Sequence, residues 1–362
     1  MVGAYVRTVC EIAPNAVYTR NSEGDFVRLA DGRLLFAYTR YLDQYSDDAA
    51  SSIVAMVSDD EGETWSEAWE VLNAAEFGVH NVMSVSLLPL NNGDTGMFYI
   101  VKHAAHTRIM LSRSSDGGRT FGAHCECTLP DRRGWYVLNN SRVIRLRSGR
   151  LIVPLAYHRA GLDAATGNRF IDPCACACML YSDDDGASWA EAPDVLHPPF
   201  TGTRSGLQEP GVIELNDGTI WAYFRTDMQC QYEAFSRDMG LHWTVPQPSR
   251  FTSPLSPMKV VRRPDNGALY AIWNPVPNWS GRAQHCDGAW LGGRTPLVYA
   301  LSRDDGRTWS EPVEIAGDPR RGYCYPAACF TRDGAMLLAY CSGGVADGIC
   351  LARLTISKIA LE

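Results

Sequence analysis

The chain has 362 residues, of which 46% are apolar and 20% are charged, and this composition excludes disorder, coiled coil and collagen-like repeats. Its 33 Lys and Arg residues against 41 Asp and Glu residues give a net charge of −8, so binding to nucleic-acid phosphates is not expected. No stretch approaches the roughly 18–20 uncharged apolar residues that cross a membrane. A globular protein without a membrane partner is therefore expected.

The N-terminal segment Met1–Pro14 lacks the basic stretch and apolar core that are typical of a secretory signal. We therefore expect a cytoplasmic protein whose 12 cysteines are reduced thiols. The spacing of Cys and His residues indicates no zinc site, and no nucleotide-binding motif is present. The sequence predicts neither a metal nor a cofactor.

The clearest repeated feature is an octapeptide of the form Ser-x-Asp-x-Gly-x-Thr-Trp. Its five copies are SDDEGETW from residue 58, SSDGGRTF from 114, SDDDGASW from 182, SRDMGLHW from 236 and SRDDGRTW from 302. In such a turn Asp accepts hydrogen bonds from backbone amides, Gly takes a positive φ and the aromatic ring packs beneath the bend. A structural role is sufficient, although Asp-rich turns can also bind calcium.

A second element recurs between these turns, an apolar run that follows a Gly-containing turn. Its six copies are DGRLLFAY from residue 31, NGDTGMFYI from 92, SGRLIVPLAY from 148, DGTIWAYF from 217, NGALYAIW from 266 and DGAMLLAY from 333. Runs of this kind predict strands, and six repeats of several short strands are typical of a β-propeller.

The sequence therefore predicts an all-β protein, a six-bladed β-propeller that forms a single domain over residues 1–362, because no linker divides the chain. The sixth unit lacks the octapeptide and ends in the segment Ile349–Ile356. We expect an N-terminal strand near Tyr5–Ile12 to complete that last blade.

The octapeptides resemble the Asp-box turns of sialidases and of the wider BNR repeat proteins, and the resemblance covers nearly the whole chain. Similar turns also occur in propellers without enzymatic activity, so the residues at the sialidase site positions decide the function. Sialidases use a Tyr nucleophile activated by Glu, an Asp acid and a cluster of arginines that binds the sugar carboxylate.

Two units match the sialidase pattern at the nucleophile and its base. Tyr325 lies nine residues before Gly334, and Glu209 lies nine residues before Gly218. Arg225, seven residues after Gly218, corresponds to an arginine of the sialidase cluster. The resemblance implies that Tyr325 is the nucleophile, Glu209 its base and Arg225 a substrate ligand.

The remaining site residues implied by the resemblance come from other units. Arg294 lies eight residues before its octapeptide, as a second arginine of the cluster does. The first unit supplies Arg40 and then Asp47 as the acid, with the adjacent Asp48 as the alternative. His158 leaves the strand of the third unit and is a further candidate for substrate binding.

The chain departs from sialidases where they carry the Arg-Ile-Pro triplet of the first arginine. Ser22-Glu23-Gly24 occupies this position, and Tyr340 stands where the family has the Glu that pairs with that arginine. Losing both charges together avoids an unpaired buried ion. Arg20, two residues earlier on the same strand face, is a candidate replacement, and Glu23 is expected either to pair with it or to bind sugar hydroxyls.

These features predict a retaining exo-glycoside hydrolase that removes a terminal acidic sugar, sialic acid or a related one, from an oligosaccharide or glycoside. Two alternatives remain open on sequence alone. One is a glycan-binding propeller without activity. The other is a glycosidase or lyase that acts on a uronic or neutral sugar.

Overall fold

The computed structural model describes residues 5–199, 202–278, 282 and 284–361. In these residues the regular structure is β-strand apart from two short 3-10 helices, Ala74–Phe77 and Val345–Asp347. None of the helices found there is long and apolar enough to cross a membrane. Six antiparallel sheets follow one another along the chain, which confirms the six-bladed β-propeller.

Each blade is a meander of four strands, and the third blade has one additional short strand. The first blade contains β2 to β5, which are Tyr18–Arg28, Leu34–Leu42, Ser51–Ser58 and Trp69–Asn73. The second contains β6 to β9, which are Asn81–Pro89, Thr95–Lys102, Thr107–Ser114 and Gly122–Glu126. The third contains β10 to β14, which are Trp135–Val137, Ile144–Arg145, Leu151–Leu162, Arg169–Ser182 and Ala190–Glu191.

The other three blades follow the same plan. The fourth contains β15 to β18, which are Gln208–Glu214, Ile220–Arg225, Cys230–Ser236 and Gln247–Thr252. The fifth contains β19, β20, β23 and β24, which are Lys259–Arg262, Leu269–Trp273, Leu297–Ser302 and Val313–Ala316, with the inserted hairpin β21 and β22, which are His285–Cys286 and Ala289–Trp290. The sixth contains β25 to β27 and β1, which are Cys324–Phe330, Met336–Cys341, Leu354–Ile359 and Val6–Ile12.

The two ends of the chain close the propeller. β1 pairs antiparallel with β27, from Val6 opposite Ile359 to Ile12 opposite Leu354. This confirms that the N-terminal strand completes the sixth blade. The partner strand β27 begins within the segment Ile349–Ile356 that was expected to end the sixth unit, at Leu354, and runs on to Ile359. Before this strand the chain forms the 3-10 helix Val345–Asp347 and a turn, and the Cys350 amide donates to the Trp290 carbonyl at 3.0 Å.

The octapeptides join the third and fourth strands of the first five blades. In the first copy the Asp60 carboxylate accepts hydrogen bonds from the Thr64 amide at 2.9 Å and the Thr64 hydroxyl at 2.6 Å. The Ser58 hydroxyl donates to Asp60 and accepts from the Gly62 amide, each at 2.8 Å. These bonds satisfy the polar groups of the bend within the turn itself, as the sequence predicts.

The glycine of these turns also sets the distance between neighbouring blades. Gly62 has a φ of 82°, and a Cβ there would lie 2.4 Å from a methyl of Leu337 in the sixth blade. Gly118 has the same relation to Leu35 of the first blade, at 2.6 Å. Any larger residue would therefore be strained in its backbone and would also push adjacent blades apart.

Candidate active site

The innermost strands of several blades carry a non-glycine residue with a positive φ. These residues are Glu23 at 60°, Ser84 at 61°, Glu209 at 46° and Tyr325 at 55°. At each of them the pairing with the next strand shifts register, which is the mark of a β-bulge. A bulge redirects the side chain it carries, and strained backbone of this kind is concentrated at functional sites.

A cavity of about 610 Å³ lies where these innermost strands meet, and its walls come from the first, third, fourth, fifth and sixth blades. The size suits a single sugar residue. The sequence-predicted site residues that line it are Arg20, Asp47, His158, Glu209, Arg225, Arg294 and Tyr325. The fold therefore brings together side chains that are up to 305 positions apart in the chain, from Arg20 to Tyr325.

Tyr325, Glu209 and Arg225 form the centre of this cavity. The Tyr325 hydroxyl donates a hydrogen bond to Glu209 Oε1 at 2.9 Å, and Arg225 Nη1 donates to the same oxygen at 2.6 Å. Arg225 Nη1 also lies 3.4 Å from the Tyr325 hydroxyl. Burial and the negative charge of Glu209 raise the pKa of Tyr325 well above its usual value. The phenol is thus neutral at physiological pH and already bonded to a carboxylate that can take its proton.

Arg294 forms the wall of the cavity behind Tyr325. Its guanidinium is buried and lies over the rings of Trp290, at 4.7 Å, and Tyr325, at 5.5 Å. Its Nη1 donates to the Cys324 sulfur at 3.2 Å, and its Nη2 donates to the Leu255 carbonyl at 3.3 Å. The Nε atom has no hydrogen-bond partner. A buried donor without a partner is costly, so Arg294 has an unmet capacity to bind an acceptor.

Arg20 is held by two carboxylates at the other side of the cavity. Its Nη1 donates to Asp47 Oδ1 at 2.6 Å, and its Nη2 lies 3.4 Å from Glu23 Oε2. The ring of Tyr41 lies beneath the guanidinium at 4.2 Å. Since Asp47 and Glu23 both pair with it, the positive charge of Arg20 is largely compensated within the protein.

Glu23 occupies the bulge of the first blade, as Glu209 and Tyr325 occupy those of the fourth and sixth. Burial raises the pKa of Glu23 to about 7, although Arg20 opposes this increase and the Tyr41 hydroxyl donates a hydrogen bond at 3.2 Å. Glu23 is thus a buried carboxyl group that changes its charge near neutral pH.

The structure separates Asp47 from Asp48. Asp47 lines the cavity and faces Arg20, whereas Asp48 points to Lys102, at 2.9 Å, and to Arg169 outside this cavity. Desolvation would raise the pKa of Asp47, but the positive charges of Arg20 and Lys102 lower it below its usual value. Of the two residues, Asp47 is the one within the same cavity as Tyr325.

His158 lines the cavity as a neutral side chain. Burial lowers its pKa, and its Nδ1 lies 2.9 Å from the Asp172 carbonyl oxygen. A neutral imidazole whose Nδ1 is bonded to a carbonyl leaves Nε2 as an acceptor. His158 can therefore accept a hydrogen bond from a sugar hydroxyl.

The lining of the cavity lacks two sequence-predicted site residues: Glu23, which is buried against the Arg20 guanidinium, and Arg40. The Arg40 guanidinium lies over the ring of Tyr18 at 4.4 Å and donates to the Tyr38 hydroxyl at 3.0 Å. Successive residues of a strand face opposite sides, and Arg40 shares its face with Tyr38, which packs against the sixth blade. The geometry thus gives no support to a substrate contact by Arg40.

Two further residues shape the site. Trp290 covers the guanidinium of Arg294, and Asn140 Nδ2 donates to the carbonyls of Gly24, at 2.8 Å, and Tyr325, at 3.2 Å. Asn140 thereby ties the bulges of the first and sixth blades together. The only signal for Trp290 was its place in the Gly-rich segment before Arg294.

Among the described residues, no group of three or more His, Cys, Asp or Glu side chains is arranged to hold a metal ion. The polar groups of the cavity are instead paired with one another as hydrogen-bonded acids, bases and guanidinium groups. Such a set performs acid–base and nucleophilic chemistry.

The family model described as a BNR repeat-like domain matches residues 85–338 of this chain. The chain belongs to this family. This chain is similar to solved structures over nearly its whole length. A protein of unknown function from Dyadobacter fermentans is 18% identical with a TM-score of 0.71, covering 99% of this chain and 100% of the other.

Two further comparisons point toward sialidases. The K499G mutant of the NanB sialidase from Streptococcus pneumoniae has a TM-score of 0.71 at 14% identity, with 97% of this chain and 70% of that chain covered. An anhydrosialidase of Macrobdella decora is 25% identical over 207 residues, which are 53% of this chain. The match spans only 23% of the length of that relative, about a quarter of it. The fold is therefore that of sialidases.

Proposed function

We propose that this protein is an exo-acting glycoside hydrolase that releases a terminal acidic sugar, sialic acid or a close relative, from an oligosaccharide. The observation that carries the proposal is the hydrogen bond from Tyr325 to Glu209 beside Arg225 within one cavity. The similarity to an anhydrosialidase and to a sialidase structure supports the same class of reaction.

In the first step the Tyr325 oxygen attacks the anomeric carbon while the bond to the leaving oxygen breaks. Glu209 accepts the phenolic proton, and protonated Asp47 gives its proton to the leaving oxygen. A neutral nucleophile suits an acidic sugar, because a carboxylate nucleophile would repel the sugar's own carboxylate. The raised pKa of Tyr325 keeps the phenol neutral until Glu209 takes the proton.

In the second step a water molecule attacks the anomeric carbon and the bond to Tyr325 breaks. The Asp47 carboxylate accepts a proton from this water, and Glu209 returns its proton to the phenolate. Both enzyme residues thus end in the protonation states in which they began, and two displacements retain the anomeric configuration.

The acid group of the sugar binds to Arg225 and Arg294 in this proposal. Both guanidinium groups lie beside Tyr325, and Nε of each lacks a hydrogen-bond partner. Arg20 Nη2 also lacks a hydrogen-bond partner, but two carboxylates, Asp47 and Glu23, lie against this guanidinium and offset its charge more fully than Glu209 offsets that of Arg225. Two arginines still favour an anionic sugar, but they bind it less strongly than three would. One lost charge-assisted contact is expected to weaken binding of the transition state by about ten- to a hundredfold.

The reaction can be tested with an aryl sialoside whose products are followed by NMR. Retention predicts that the first sugar released has the configuration of the substrate and only later mutarotates. An inverted first product would remove Tyr325 as the nucleophile and would assign the chemistry to a water activated by a carboxylate.

The substrate class is tested by comparing kcat/KM for a fluorogenic sialoside, a glucuronide and a neutral galactoside. We expect the sialoside or the glucuronide to be hydrolysed best. Preference for the galactoside would overturn the proposal of an acidic sugar, and a product that absorbs in the ultraviolet as an unsaturated uronate would identify a lyase. Binding of glycans without turnover of any substrate would identify a propeller that lacks catalytic activity.

A further inference from the structure

Three buried cysteines lie together behind Tyr325 and form a cluster of sulfur atoms. Cys324 directly precedes Tyr325 in β25, Cys341 is its cross-strand partner in β26, and Cys350 comes from the turn before β27. All three are free thiols, and the proposed reaction uses none of them. They are called the cysteine cluster below.

The guanidinium of Arg294 contacts this cluster. Its Nη1 donates to the Cys324 sulfur at 3.2 Å and lies 3.9 Å from the Cys350 sulfur. The arginine is 1% exposed, so its charge is almost completely removed from water. A buried charge of this kind is costly unless a charge of opposite sign lies beside it.

The two other buried arginines of the site, Arg20 and Arg225, meet this requirement with carboxylates. Within the part of the chain that the structure describes, Arg294 forms no ion pair with a carboxylate, and its hydrogen bond outside the cysteine cluster goes to the neutral carbonyl of Leu255. The nearest candidate for its counter-charge is therefore a sulfur atom of the cluster.

Of the three cysteines, Cys324 is the one whose surroundings favour the ionised form. Burial disfavours a thiolate, but hydrogen bonds from the thiols of Cys341 and Cys350 and the positive charge of Arg294 lower the pKa of Cys324 well below its usual value. Burial raises the pKa of Cys341 and of Cys350 well above that value, so both remain protonated donors. One thiolate then balances one guanidinium.

We propose that Cys324 is a thiolate that serves as the counter-ion of Arg294 and holds this arginine beside the ring of Tyr325. Cys324 is thus a positioning residue, because it acts on a substrate only through Arg294. The ion pair itself does not depend on the proposed function, whereas its effect on a substrate rests on that function. Since the thiolate and a sugar carboxylate share one guanidinium, the thiolate limits how strongly Arg294 binds the acid group.

The first experiment detects the thiolate without a substrate. A thiolate absorbs ultraviolet light at wavelengths where a thiol does not, so folded wild type is compared with three variants at neutral pH. Cys324→Ser removes the sulfur and Arg294→Met removes the charge that keeps it ionised, so each should lose the absorbance of about one thiolate. Cys341→Ser, at a buried cysteine of the same cluster, should retain that absorbance.

The second experiment measures the binding of free sialic acid by calorimetry. Cys324→Ser leaves the charge of Arg294 available to the ligand, so we expect its Kd to be about three- to tenfold lower than that of wild type. Cys341→Ser should stay within about twofold of wild type. Equal Kd values for wild type and Cys324→Ser would show that the sulfur does not compete for this arginine and would overturn the proposed effect on the substrate.

The outcomes separate this inference from the proposed function. Equal ultraviolet absorbance of wild type and Cys324→Ser, with both folded by circular dichroism, would show that Cys324 is a neutral thiol and would overturn the ion pair while leaving the hydrolase intact. A thiolate signal that persists in Arg294→Met would also overturn it. Failure of wild type to bind sialic acid or to hydrolyse any acidic glycoside would overturn the proposed function, and the absorbance would still decide the ion pair.

Discussion

The Tyr325 hydroxyl lies 2.9 Å from Glu209 Oε1, although 116 residues separate them in the chain. Tyr325 comes from the first strand of the sixth blade and Glu209 from the first strand of the fourth. Each occupies a bulge with a positive φ, at 55° and 46°. Two strained residues thus face each other with their reactive groups already in contact, which is the arrangement of a nucleophile and its base.

Removing either partner should abolish hydrolysis while the propeller stays folded. We expect Tyr325→Phe and Glu209→Gln each to lower kcat by about a thousandfold or more, because a nucleophile or its base is lost. The measurement is the initial rate on a fluorogenic sialoside, with circular dichroism as the check of folding. Tyr323→Phe is the matched control, since Tyr323 is also a buried tyrosine near the start of the same blade. A Tyr325→Phe variant within tenfold of wild type would exclude the tyrosine as the nucleophile.

Arg225→Met should change substrate preference as well as rate. Loss of one charge-assisted hydrogen bond to the sugar carboxylate is expected to lower kcat/KM for the sialoside by about ten- to a hundredfold. Arg225 also holds Glu209, so a neutral galactoside measured with the same variant serves as the reference. The ratio of the two kcat/KM values should fall. An unchanged ratio would show that Arg225 does not bind the acid group.

Activity on substrates with poor leaving groups should decrease as the pH rises. Asp47 acts as an acid only when it is protonated. Desolvation raises the pKa of Asp47, but the positive charges of Arg20 and Lys102 outweigh this effect and lower the pKa below its usual value. The alkaline limb of the kcat/KM profile is therefore expected at acidic pH. Arg20→Gln removes one positive charge, so this limb should move to higher pH, and Asp47→Asn should eliminate it. A limb that does not move in Arg20→Gln would argue against Asp47 as the acid.

Glu23 should make the folded protein less stable as the pH rises through neutrality. Burial raises the pKa of Glu23 from 4.5 to about 7. The negative charges of Asp47 and Glu209 raise it further, whereas the positive charge of Arg20 lowers it. Because the pKa of Glu23 is higher in the folded protein than in the unfolded chain, folding is favoured most when this carboxyl group is protonated in both states, below pH 4.5. This contribution to the free energy of unfolding is lost as the pH rises from 4.5 to about 7. Glu23→Gln mimics the protonated form.

The variant should therefore gain stability relative to wild type at pH 8, on the order of 1–3 kcal/mol in the free energy of unfolding. The gain should shrink toward pH 5. Urea unfolding at the two pH values measures it, and an equal difference at both pH values would show that Glu23 does not titrate in this range.

The Asp-box turns should contribute stability and not activity. Asp60→Ala removes the acceptor of bonds from Ser58 and Thr64, which we expect to cost about 1–2 kcal/mol of unfolding free energy. Asp59→Ala, at the adjacent and mostly exposed carboxylate, should cost less than about 0.5 kcal/mol. Thermal unfolding measures both. Equal effects would show that the turn does not depend on its aspartate.

Local features of the sequence were sufficient to predict the blades. The donors and acceptors of each Asp-box pair with one another within eight residues, as the bonds between Ser58 and Thr64 show. The octapeptide therefore specifies its turn without contacts from the rest of the chain. Apolar runs after Gly turns became the second strands of all six blades. The resemblance to the sialidase pattern singled out Tyr325, Glu209 and Arg225, and all three line one cavity in the structure.

Where the sequence failed, the outcome depended on contacts between distant segments. Arg20 and Arg40 both lie on strands of the first blade. The pairing of β2 with β3 and the packing against the sixth blade decide that Arg20 faces the cavity and Arg40 does not. The choice between Asp47 and Asp48 depended on Lys102 and Arg169, which come from other blades.

The sequence by itself determined the number of blades and their turns, because these follow from bonds between near neighbours. Tertiary structure alone decided the charge states and the cavities. The pKa of Glu23 reflects its burial among Arg20, Tyr41, Asp47 and Glu209, and the central cavity exists because residues of five blades meet there. Desolvation and Coulomb energy depend on distances through space, which the order of residues along a chain does not specify.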